Sequence, residues 1–98
     1  MHKVVLSIQL DDFLANILNS GSFSNNTGLR ILPSQKNILR NASERGKGFN
    51  HPNPKERIFD LDLSSTKGKI EIVCGEESVA IRKTIDINGE DKITVNFP

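Results

Sequence analysis

The chain contains no tryptophan and no tyrosine, and a single cysteine, Cys74, among its 98 residues. One cysteine excludes an internal disulfide and a cysteine-based zinc site. Without the two large amphipathic aromatics, the core has to be built from Ile, Leu, Val and five Phe. Long apolar runs are also missing. The longest apolar segment is the alternating stretch from Val4 to Leu10, far short of a membrane-spanning helix. Met1-His2-Lys3 leads straight into strand-like alternation, so no secretory signal is expected and the cytoplasm is the expected location. An excess of either charge sign is absent as well, with 13 basic residues against 12 acidic ones.

That balance conceals segregation. Between residues 23 and 57 lie seven basic side chains (Arg30, Lys36, Arg40, Arg45, Lys47, Lys55, Arg57) and two acidic ones (Glu44, Glu56). From residue 60 to the end the count is five basic against eight acidic. The middle of the chain is basic and the remainder mildly acidic.

Length and composition fit one domain over residues 1–98 with a modest core. "KVVLSIQL" alternates, placing Val4, Leu6, Ile8 and Leu10 on one face of a strand and Val5, Ser7 and Gln9 on the other. "DDFLANILNSG" predicts a short helix: Asp11 or Asp12 supplies the N-cap, Phe13, Leu14, Ile17 and Leu18 the apolar stripe, and Gly21 the C-terminal cap. In "LRILPSQKNILRNASERG", Leu29 to Leu32 suit a very short strand. Pro33-Ser34 then reads as the entry to a second helix, carrying Ile38, Leu39 and Ala42.

After Arg57 the apolar period becomes two. Phe59, Leu61 and Leu63 form one row, Ile70, Ile72 and Cys74 another, then Val79, Ile81, Ile85 and Ile87, and finally Ile93, Val95 and Phe97. Lys83 interrupts the third row, which calls for a bulge or for a stem long enough to reach solvent. Asn88-Gly89 suggests a two-residue hairpin loop. That loop would pair Ile87 with Glu90 and Ile85 with Lys92, so a longer loop pairing Ile85 with Ile93 or Val95 is expected instead. The resulting fold class is α+β: two layers, with an N-terminal strand and one or two helices packed on a four- to five-stranded, mainly antiparallel sheet that ends in a β-meander.

The most unusual stretch is "ERGKGFNHPNPK", residues 44–55, which combines Arg45, Lys47, His51 and Lys55 with two glycines and two prolines. Basic side chains supply charge, and the glycines allow backbone amides to approach a phosphate. Phe49 can stack on a base, and Asn50, His51 and Asn53 can hydrogen-bond a base or sugar. The expected anion-binding set is Lys36, Arg40, Arg45, Lys47, His51, Lys55 and Arg57, facing RNA or a nucleotide, with no cofactor. The plain alternative is a solvated connection punctuated by glycine and proline. His51 is also the one side chain placed to act as a general base near neutral pH. The element order, helices before an antiparallel sheet, is similar to that of small ribonucleases of the RelE and colicin-nuclease type. That similarity implies a metal-free ribonuclease centred on His51, although no motif of those families is present.

Asp60 and Asp62 lie two apart on a strand and share a face; with Glu71 opposite, they can be read as ligands for a divalent cation, or more simply as a solvated surface. Cys74 falls on the apolar face as a small core residue. Catalytic constellations are otherwise absent. The expected function is a binding module that presents residues 36–57 to an anionic partner. A protein–protein module of inhibitor or immunity type, using the outer sheet face or an edge strand, is the alternative.

Overall fold

A computed structural model of the chain describes residues 1–19, 28–45, 53–76 and 78–98. Among the described residues the architecture is predominantly β with one short helix. It consists of β1 (His2–Leu10), α1 (Asp12–Asn19), β2 (Leu29–Pro33), β3 (Leu39–Glu44), β4 (Glu56–Leu63), β5 (Lys67–Cys74), β6 (Ile81–Asn88) and β7 (Lys92–Phe97). The strands form two sheets, a four-stranded one in the order β3-β4-β1-β7 and a three-stranded one in the order β2-β5-β6. All pairings are antiparallel except β1 with β7, which run parallel.

The alternating pattern of β1 holds as read. Val4, Leu6, Ile8 and Leu10 are buried, and the residues between them are half-exposed. Their partners across β4 include Leu61, Phe59 and Arg57, so this part of the inner face is apolar apart from Arg57. From the other sheet, Ile31, Ile70, Ile72, Cys74, Ile85 and Ile87 join the same core cluster. Two half-apolar sheets thus hide each other's faces, the solution open to strands that alternate with period two.

α1 starts as expected. The Asp11 carboxylate accepts a hydrogen bond from the Leu14 amide at 2.8 Å, and the Asp11 carbonyl accepts from Ala15 at 2.9 Å. Leu14 and Ala15 are buried and Ile17 and Leu18 half-buried, whereas Phe13, expected in the apolar stripe, is 69% exposed. Gly21 lies outside the described residues.

Three expectations require correction. The very short strand expected at Leu29 to Leu32 is present as β2, but the second helix expected after Pro33-Ser34 is instead β3. Its helix-like signal, Leu39 and Ala42 three residues apart, arises from a bulge: the β3–β4 register shifts between Leu39 and Asn41, and the extra residue returns both side chains to the half-buried face. The layer opposite the first sheet is therefore a second sheet, and the single helix packs against β1. The resemblance in element order to the small ribonucleases lapses with the second helix.

The C-terminal meander is the third correction. Only β5 and β6 form a hairpin, while β4 and β7 belong to the other sheet. Asn88-Gly89 makes no two-residue hairpin, and Ile85 pairs with Ile70 rather than with Ile93 or Val95. Ile93 and Val95 lie beside Leu6 and Ile8 in the parallel pairing. Crossing between sheets keeps every apolar row facing one core, which satisfies the register argument without a β6–β7 ladder. Gly89, at φ +83, makes this crossing, and its amide donates to the carbonyl of Thr66 in the neighbouring β4–β5 crossing at 2.7 Å. Val79 is exposed before β6 begins, and Ile81 is 40% exposed at its first position. Lys83 follows the stem solution: no bulge interrupts the β5–β6 register, and its ammonium donates to the Asn96 carbonyl at 2.6 Å.

Candidate interaction surface

The β3–β4 pair positions most of the polar groups of interest. Alternation along β4 turns Arg57, Phe59, Leu61 and Leu63 inward and Glu56, Ile58, Asp60 and Asp62 outward. Arg57 is buried. It donates from Nη2 to the Asn19 side-chain oxygen at 2.8 Å and from Nη1 to the Glu44 carboxylate at 3.3 Å. Its Nε has no hydrogen-bond partner among the described residues. Asn19 in turn donates to the Pro54 carbonyl at 2.8 Å, so Arg57 ties the end of α1 to β3 and β4.

The outward side is a polar grid. Arg45 holds Asp60 with two parallel bonds, Nε to Oδ2 at 2.8 Å and Nη2 to Oδ1 at 2.7 Å. These bonds hold the Asp60 carboxyl below the usual carboxylate range and push the arginine further up. The Glu56 carboxylate accepts from the Ser7 hydroxyl at 2.8 Å and from the Gln9 amide at 2.9 Å, and these bonds lower its pKa. Gln9 also donates to Ser7 at 2.9 Å. Lys3 approaches Asp62 at 3.8 Å. Val5 and Ile58, both half-exposed, sit among these groups, and Lys92 lies beside Val5 on β7. At the Lys3 end the face dips into a groove of about 410 Å³ lined by Val5, Asn41, Ser43, Asp60, Asp62 and Lys92 among others.

The residues expected to bind an anion are distributed as follows. Lys47, Phe49 and His51 lie outside the described residues. Lys36 is exposed two residues before Ile38, whose carbonyl receives the Ser64 amide, and so stands at the Leu63 end of β4. Lys55 immediately precedes the opposite end of β4 and is ion-paired with Asp12 at the start of α1, which raises its pKa. The two ends of this eight-residue strand are about 23 Å apart at the usual rise. Arg40 is exposed on β3, Arg45 is on the outer face, and Arg57 points into the interior. Arg45, Lys55 and Arg57 therefore each face a carboxylate of their own chain.

Glu71 is on the outer face of the other sheet, where Arg82 donates to it at 3.2 Å. It cannot join Asp60 and Asp62 around one cation. Among the described residues no group of three His, Cys, Asp or Glu side chains is close enough to share a metal ion. Val73, which alternation with Ile72 and Cys74 turns to the outer face, is nevertheless fully buried between Arg30 and Arg82 on that second sheet. Cys74 is a buried free thiol whose pKa is pushed up by burial. No helix among the described residues is long and apolar enough to cross a membrane.

Sequence reasoning missed the Ser7–Gln9–Glu56 network and the inward turn of Arg57. The inward turn of Arg57 was accessible by running the period-two pattern of Phe59, Leu61 and Leu63 backwards along the strand; the meeting of Glu56 with Ser7 and Gln9 depends on the β1–β4 register and was not. No protein-family model matches the chain, and no curated protein or solved structure shows significant similarity to it.

Proposed function

We propose that this protein is a small binding module whose working surface is the outer face of the four-stranded sheet, presented to a protein partner. The observation that carries this reading is the grid of Arg45–Asp60, Ser7/Gln9–Glu56 and Lys3–Asp62 on a face that neither the helix nor the second sheet covers. Side chains already held by neighbours lose little further rotamer freedom on binding. Glu56, Asp60 and Asp62 alternate with Arg45, Lys3 and Lys92, so the face is nearly balanced in charge. Such a surface complements a protein partner carrying both signs; a nucleic acid requires a net positive one. Val5 and Ile58 supply the apolar centre.

The test compares partner capture by the wild type, by a Val5→Glu/Ile58→Glu double variant, and by a Lys69→Glu variant on the other sheet. Circular dichroism must be unchanged in all three. A partner held by the wild type and Lys69→Glu but lost by the double variant is the expected result. Equal capture by all three would overturn the reading.

A second reading keeps the anionic partner, RNA or a nucleotide, on residues 36–57. It is favoured by the exposure of the Arg45–Asp60 and Lys55–Asp12 pairs, because carboxylates paired in water are held weakly and a phosphate can displace them. A titration with mixed RNA oligomers should then give log K falling with log salt at a slope of about −3 for four phosphate contacts.

A further inference from the structure

The two sheets meet at one open side. β6 has β5 on one flank and β7 has β1 on one flank; neither has another strand partner among the described residues. The Lys83 ammonium spans this side from β6 to the Asn96 carbonyl of β7. An edge strand with unpaired amides and carbonyls is a template for another chain, and folded proteins blunt it with prolines, bulges, short strands, covering elements or inward-pointing charges. β6 has eight residues, no proline and no break in its register with β5. The helix packs against β1 instead of covering it. Among the described residues, β6 shows of these devices only the inward charge, Lys83, in a row otherwise made of Ile81, Ile85 and Ile87.

The sequence of β6 also identifies what that charge opposes. Two antiparallel copies of "IRKTIDIN" related by a two-fold axis at Thr84 bring Ile81 opposite Ile87 and Arg82 opposite Asp86, each pair occurring twice by symmetry. The first pair is apolar on the inner row and the second is of opposite charge on the outer row, the combinations that favour cross-strand pairing. Lys83 opposite Ile85 is the one mismatch. Pairing would bury a compact, strongly hydrated ammonium against an aliphatic chain and take it from its water.

We infer that β6 is self-complementary about Thr84 and that Lys83 prevents it from pairing with a second copy of this chain. Replacing Lys83 by Met, of similar length and without charge, joins the two three-stranded sheets edge to edge in a two-fold dimer.

Sedimentation equilibrium over a micromolar to millimolar series tests this on the full chain. The Lys83→Met variant should dimerise at least about tenfold more tightly than the wild type, and Lys83→Arg should behave as the wild type. Adding Arg82→Asp to Lys83→Met faces like charges at the outer pair and should return the protein to monomer. A folded but monomeric Lys83→Met, or association unaffected by Arg82→Asp, would overturn the inference. If Lys83→Met does not fold, Lys83→Thr is read by the same criteria.

Discussion

The inner and outer sides of the β3–β4 pair make opposite use of the same chemistry. Glu44 and Arg45 are sequence neighbours, and each forms an ion pair with a β4 residue. On the inner side, Arg57 and Glu44 are only 10% and 15% exposed. On the outer side, Arg45 and Asp60 are 54% and 47% exposed despite their better geometry. Burial, more than bond length, separates the two. The inner pair has given up water on both partners, so removing either leaves a stranded group. The outer pair exchanges freely with solvent, so its value lies in holding side chains in place for a partner.

The largest effect that would break this comparison is on the inner side. Arg57→Ala leaves the Glu44 carboxylate without this cation and the Asn19 side-chain oxygen without its donor, and should destabilise the fold by about 3–5 kcal/mol in urea unfolding. A loss no larger than that of a surface substitution would place Arg57 outside the core after all. Ile72→Ala calibrates the same interior with a purely apolar deletion. At 0% exposure and flanked by Ile31 and Lys83, it should cost about 2–5 kcal/mol through the cavity it leaves. Arg45→Ala, on the outer side, should leave the unfolding midpoint at neutral pH indistinguishable from wild type; a large shift would erase the distinction between the two sides.

The smallest effect concerns acid. Asp60 and Glu56 both have folded pKa values below their unfolded ones, so each binds protons less readily in the native state. Their stabilisation is present above the ordinary carboxylate range and is lost as pH falls through the depressed folded values. Side-chain carboxyl NMR titration should find both groups below the usual range. Arg45→Ala should move Asp60 up without moving Glu56, and Ser7→Ala should do the reverse. Concerted movement of both would mean that the outer face behaves as one coupled unit.

The middle of the chain was least legible because two different causes produce the same spacing. Leu39 and Ala42, three apart, suit a helical stripe as well as they suit a bulged strand, and the bulge depends on what β4 offers opposite. The charge of Arg57 argues for an exposed ligand, whereas its place in the alternation turns it inward. The strand patterns of β1, β4 and β5 were legible because period two over several residues has few competing explanations. Of the surface, Val5, Ser7 and Gln9 were correctly placed on one face of β1. The partners that lock Ser7 and Gln9 were not, since Glu56 lies 49 residues from Ser7.

By itself the sequence determined local choices: that β1, β4 and β5 extend, where Asp11 starts a helix, and that the apolar rows of β1, β4 and β5 must hide. These follow from periodicity and from side chains bonding to nearby backbone, interactions that need no knowledge of distant chain. Tertiary structure alone decided that β4 and β5 part into different sheets, that β7 returns parallel to β1, and that Arg57 meets Glu44 and Asn19 inside. Alternation dictates that an apolar row must be covered but not by what. Two sheets, or a sheet and a helix, remove similar area from water, and only the packing of the whole chain selects between them.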